Sequence, residues 1–122
     1  MPSWDDVVSI GLRFPGVEVA TSYGRPALKV RDKGICSLRT NPDALVLRVI
    51  DLGDREALLQ GQPEVFFSTP HYDGYPYVLV RLEAVDSREL AELLEDAWRL
   101  RAPKRLITSF EADGARAPDD AR

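Results

Sequence analysis

One cysteine, one histidine and one methionine are spread over 122 residues, and each scarcity closes off a class of chemistry. A lone Cys36 forms no internal disulfide, which fits a reducing compartment. One cysteine and one histidine do not make a zinc set. Glycine-rich loops of the P-loop or dinucleotide-binding type are absent, and no serine sits in a nucleophile elbow. No metal, no cofactor and no catalytic residue is therefore expected. No apolar run approaches the roughly 20 residues that span a bilayer, and Met1–Asp6 lacks the basic-then-apolar order of a secretory leader. A soluble, cytoplasmic protein with no membrane partner is expected. A surplus of positive charge is missing too. The net charge is −4 and the pI is near 5.0, which excludes a protein that coats nucleic acid by total charge alone.

What is present reads as one α+β domain over residues 3–107. Ser3 and Asp6 form a box-like cap for a first helix from about residue 4 to 13, with Trp4, Val7, Val8 and Gly11 on one face. Val17–Tyr23 alternates weakly. Ala27–Arg31 and Ile35–Thr40 flank Asp32-Lys33-Gly34, which reads as a hairpin turn with a glycine available for positive φ. After a turn at Asn41-Pro42-Asp43, Ala44–Ile50 is a third strand. Asp51–Gly61 suits a short helix with Ala57, Leu58 and Leu59 inside. Val65–Ser68 is extended, Thr69–Pro76 is a loop, and Tyr77–Ala84 is a strand. Asp86 and Glu89 make a capping pair for a helix to Arg101, whose Leu90, Leu93, Leu94, Ala97 and Trp98 form an apolar stripe. Pro103 stops it, and residues 108–122 read as a disordered tail. This order predicts an antiparallel sheet with helices packed on one face.

Charge is distributed unevenly along that frame. Residues 25–48 hold six basic side chains (Arg25, Lys29, Arg31, Lys33, Arg39, Arg48) against Asp32 and Asp43, a block of net +4 in a chain of net −4. Strand side chains alternate between faces. If Leu28, Val30, Cys36, Leu38, Leu45, Leu47, Val78 and Val80 lie under the helices, then Lys29, Arg31, Arg39, Arg48 and Arg81 emerge on the open face, with Lys33 at a hairpin tip. A focused positive face attracts polyanions. The ordinary alternative is a solvated face whose cations deter edge pairing.

His71 is the one titratable side chain with a physiological switching range. It sits in Pro70-His71-Tyr72-Asp73-Gly74-Tyr75-Pro76-Tyr77, where Asp73 could orient it as a base. No activated nucleophile accompanies it, so a rigid aromatic loop with His71 bonded to backbone is the favoured reading. His71, Tyr72 and Tyr75 are candidates for lining a pocket for a small planar or anionic ligand.

Two segments and a helix carry a family resemblance. They are Pro15-Gly16-Val17-Glu18 with Ser22-Tyr23-Gly24-Arg25-Pro26-Ala27-Leu28-Lys29-Val30 and Lys33; Phe66-Phe67-Ser68-Thr69-Pro70-His71-Tyr72-Asp73-Gly74-Tyr75-Pro76; and the closing helix with Trp98-Arg99. From residue 3 to about 105 the chain resembles the MmcQ/YjbR family of small bacterial proteins. The resemblance implies a CyaY-like (frataxin-like) fold. It also implies DNA binding through two β-hairpin wings, which would place Lys29, Arg31, Lys33 and Arg39 on a wing. Iron binding does not carry over, because the first helix has only Asp5 and Asp6. The expected function is non-enzymatic contact with the phosphates of duplex DNA by Arg25, Lys29, Arg31, Lys33, Arg39, Arg48 and Arg81. A small-molecule module built on the loop 70–77 and a protein-interaction adaptor are the alternatives.

Overall fold

A computed structural model of the chain describes residues 2–40 and 43–116, with the side chains of 114–116 set aside. Its elements run α1 (Trp4–Gly11), β1 (Val17–Ser22), β2 (Arg25–Val30), β3 (Lys33–Arg39), β4 (Ala44–Arg48), α2 (Leu52–Gly61), β5 (Phe66–Phe67), β6 (Tyr77–Arg81), α3 (Ser87–Arg101) and α4 (Lys104–Arg116). The strands form one six-stranded sheet in the order β1-β2-β3-β4-β6-β5. Every pairing is antiparallel. This is the α+β architecture expected from the sequence.

The helices cover one face. Leu28, Val30, Cys36, Leu45, Leu47, Val78 and Val80 enter a single core with Val7, Ile10, Leu90, Leu94 and Trp98. At the start of α1, Ser3 Oγ accepts from the Asp6 N–H at 3.3 Å while the Ser3 N–H donates to Asp6 Oδ2 at 2.8 Å. The expected capping box is present. Gly11 is buried because α1 approaches β2 closely there: a Cβ would stand 2.4 Å from Leu28 Cδ1.

The structure departs from the sequence reading in several places. The segment expected to be a tail continues as α4 to Arg116. It docks through Leu106, Ile107 and Phe110. Phe14, Trp98 and Phe110 form a three-ring cluster with centroids 5.0–5.5 Å apart. Trp98 Nε1 also donates to the Pro15 carbonyl at 2.9 Å. Residues 117–122 lie outside the described residues, as do Asn41 and Pro42 of the expected turn. In α2, Ala57 is exposed, and the residue turned fully inward is Arg55. Asp86 makes no side-chain capping bond; Glu89 instead accepts from Gln62 Nε2 at 2.7 Å.

Both N-terminal hairpins close on two-residue turns with left-handed backbone. Ser22 pairs with Arg25 around Tyr23 (φ 51°) and Gly24 (φ 77°). Val30 pairs with Lys33 around Arg31 (φ 51°) and Asp32 (φ 67°). Paired positive φ values are what the twist of a tight hairpin demands. The second turn therefore sits at Arg31-Asp32, not at Asp32-Lys33-Gly34.

Candidate nucleic-acid interface

The register of β2 with β3 shifts between Leu28 and Lys29. Leu28 faces Cys36, but Lys29 faces Gly34, so Ile35 is an extra residue. Ile35 and Cys36 both join the helix-side core. Parity on β3 reverses across this bulge. Lys33 stands opposite buried Val30, on the helix-side set, and Arg31 occupies the turn rather than the strand face. Both remain exposed at the hairpin end.

The other cations keep the expected face. Ala27 pairs with Ser37 and Ser37 with Val46, on the side away from the helices. Lys29 is half-buried there, with Glu18 directly opposite it on β1. Arg39 and Arg81 both face Ala44 from its two sides, roughly 10 Å apart at the usual strand spacing. Arg25 is exposed at the start of β2, and Arg48 pairs with Tyr77.

This face is not bare. The segment 69–76 folds back over it and makes a second, small core of Ala44, Val46 and Leu79 beneath Phe67, Tyr72 and Tyr77. A 3₁₀ turn at Pro70–Tyr72 sets the loop. The Val49 N–H donates to the Pro76 carbonyl at 2.9 Å, fastening its far end. Arg55 is the clamp, at 6% exposure. Its Nε donates to the Tyr77 carbonyl at 2.9 Å, and its terminal nitrogens reach Ser68 Oγ, Asp73 Oδ1 at 3.4 Å and Glu56 Oε2 at 3.0 Å. A buried guanidinium is tolerable only when so many of its donors are met. Nothing in the helical spacing of α2 marks Arg55 for burial, because its partners come from residues 68–77.

Asp73 is thereby committed to Arg55 and does not orient His71. Among the described residues His71 makes no hydrogen bond, to backbone or otherwise. Its ring stands edge-on to Tyr72 at 4.7 Å, and Tyr72 lies 6.0 Å from Tyr77. Cys36 is no nucleophile in waiting: burial pushes its thiol up to about 12, against a smaller downward pull from a hydrogen bond with the Leu28 backbone. Among the described residues no group of three His, Cys, Asp or Glu side chains is placed to hold a metal. Among the described residues no helix is long and apolar enough to cross a membrane.

Between the aromatic loop and the β1–β2 turn lies an open bowl of about 660 Å³. Its floor is Ala27, Ser37 and Val46. One wall is His71, Tyr72, Tyr75 and Tyr77, and the other is Tyr23 and Arg25, with Lys29, Asp32 and Arg101 at one end. A second compartment of about 350 Å³ shares Tyr23, Arg25, His71 and Tyr72 and adds Arg39 and Thr69. Tyr23 and Arg101 were not singled out by the sequence reading. Tyr23 reads as the end of a weakly alternating strand, and Arg101 as the end of α3; their place at the bowl is set by hairpin closure and helix docking. Arg101 Nε donates to the Gly34 carbonyl at 3.1 Å.

The cations divide by occupation. Arg48 lies 5.7 Å from the Tyr77 ring centroid and donates to the Val49 carbonyl. Arg81 lies 4.2 Å over Phe67. Arg25, Lys29 and Arg39 have no hydrogen bond or ion pair among the described residues.

The YjbR family model matches residues 12–100, which include the sheet, the loop and most of α3. The chain belongs to the YjbR family. Relatives from mycobacteria resemble it along nearly their whole length. Uncharacterized proteins of Mycobacterium tuberculosis and Mycobacterium bovis are each 36% identical, over 93% of this chain and 98% of theirs. The crystal structure of the Deinococcus radiodurans protein DR2400, a DUF419 domain, superposes with a TM-score of 0.70 at 23% identity. That match covers 82% of this YjbR chain and 78% of the other, and it shows the shared fold.

Proposed function

We propose that this YjbR protein is a non-enzymatic DNA-binding protein that contacts phosphates through the face of the sheet opposite the helices. The observation that carries the reading is that Arg25, Lys29 and Arg39 share this face without an ion pair among the described residues. Arg31 and Lys33 extend the positive surface at the β2–β3 hairpin end. Arg48 and Arg81, stacked on rings, frame it. Glu18 and Asp32 lie among these cations and moderate the field, so the contact is weak and depends strongly on salt. Dissociation constants of ~10⁻⁴–10⁻⁶ M at physiological salt are expected for binding of this kind.

The test is a titration of duplex DNA at several salt concentrations. Three phosphate contacts give a slope of log K against log salt of roughly −3. Arg25→Glu with Arg39→Glu should abolish binding at low salt while the far-UV spectrum stays unchanged. Duplex binding that is absent at low salt, or indifferent to this double reversal, overturns the reading.

A further inference from the structure

The side chain of Tyr23 serves no visible purpose in folding. Its ring is fully exposed, and its backbone sits at φ 51°, a conformation uncommon outside glycine, asparagine and aspartate. The tight β1–β2 turn accounts for that backbone, but it does not account for a fully exposed aromatic ring. The ring lies on the rim of the bowl, across from Tyr72 and from Tyr75, which is also exposed. The two compartments that share Tyr23 and Tyr72 have Lys29 at one end and Arg39 at the other, with Arg25 lining both. Tyrosine rings flanked by cations with no ion pair among the described residues match a ligand with a flat apolar face and a negative charge. A volume of about 660 Å³ falls within the roughly 300–1,000 Å³ of ordinary ligand sites.

In a duplex the faces of the bases are stacked on one another and unavailable to side chains. Only an unstacked base offers its face to a tyrosine. We propose that the bowl receives one nucleoside phosphate unit of a single-stranded nucleic acid. The base stacks against Tyr23, Tyr72 or Tyr75, and the flanking phosphates rest on Arg25, Lys29 and Arg39. The inference rests on the nucleic-acid reading above and changes its preferred partner from paired to unpaired strands.

The experiment compares a labelled oligothymidylate, a duplex of equal length and thymidine 5′-monophosphate by anisotropy and competition at low salt. The proteins are the wild type, Tyr23→Ala/Tyr75→Ala and Tyr23→Phe/Tyr75→Phe. Both tyrosines are exposed, so the variants should fold. The single strand should bind about tenfold or more tighter than the duplex. The double alanine variant should lose about tenfold or more of that affinity and leave duplex binding within about twofold, while the phenylalanine variant retains it. Equal affinity for both forms, with the alanine variant indifferent, overturns the inference and leaves the duplex reading standing. Single-strand binding with no duplex binding does the reverse. A mononucleotide that binds as tightly as the oligonucleotide keeps the nucleotide in the bowl but overturns the strand as its source. No binding by any of the three overturns both.

Discussion

The two faces of the sheet are built on different principles. The helix side is continuous and apolar, and Phe66, Leu28, Leu45, Leu90, Leu94 and Trp98 are almost completely removed from water. On the other side Ala44, Val46 and Leu79 form a small buried cluster, with Ala27 buried nearby. There a loop stands in for a helix layer, held by a buried arginine, a backbone bond from Val49 to Pro76 and the packing of Tyr72 rather than by a broad apolar area. Removing water from apolar surface is non-directional and tolerant of shape, so the first face is robust. A charged clamp is directional and depends on each partner, so the second face rests on a few specific contacts. It is also the face that leaves cations and tyrosines open to solvent. Stability and candidate binding chemistry thus occupy opposite sides of one sheet.

That contrast can be broken from either side. Trp98→Ala removes the ring shared by α1's exit, α3 and α4, together with its bond to Pro15. A loss of about 3–5 kcal/mol is expected, read by urea denaturation. Since the bowl lies on the far face, any population still folded should keep wild-type affinity for nucleic acid.

Arg55→Met keeps similar bulk and deletes the clamp. The Tyr77 carbonyl and Ser68 hydroxyl lose a charged donor, for an expected cost of about 2–3 kcal/mol. Hydrogen exchange at Tyr72, Tyr75 and Tyr77 should accelerate more than at Leu45 or Leu90. Uniform acceleration across both faces would mean that the loop is not an independently fastened unit.

The smallest effect concerns the surface of α3. Burial holds the Asp96 carboxyl above its ordinary 3.8, reinforced by the negative charges of Glu95, Asp54 and Glu92 and opposed by Arg99. The folded state therefore binds this proton more tightly than the unfolded chain does. The associated stability is fully present below 3.8 and is lost as pH rises through the raised folded value. Asp96→Asn should raise the melting temperature slightly at pH 7, within the roughly 0.5 kcal/mol of a surface substitution. The gain should fade as the pH falls below 3.8. A gain that persists in acid would point to a cause other than charge.

Much of this fold is legible in the chain because it depends on local rules. Ser3 and Asp6 are three residues apart, and their capping box needs no distant partner. Strand parity correctly separates Leu28, Cys36, Leu45 and Val78 from Ala27, Ser37, Val46 and Leu79. It misses the bulge at Ile35, opposite Leu28/Lys29, and it assigns Arg31, a turn residue, to the open face. A bulge is a decision of two strands together, so one strand's pattern does not reveal it. The apolar spacing of Leu106, Ile107 and Phe110 is also local, but composition alone makes the segment look like a tail. Its helix forms against Trp98 on the preceding helix and against Phe14 from the other end of the chain.

The candidate site shows the same division. Sequence by itself determined the reservoir: a basic block in residues 25–48, three tyrosines between 72 and 77, and the signature that the YjbR model recognises. Tertiary structure decided which of those side chains meet. It sent Arg31 to a turn, stacked Arg48 and Arg81 on aromatic rings, drew Asp73 to Arg55, and set Tyr23 across a bowl from Tyr72 and Tyr75. The physical reason is that composition and periodicity act over a few neighbouring residues, whereas a pocket is an intersection of strand register, hairpin closure and loop anchoring. Each of those is settled only when separate parts of the chain pack together.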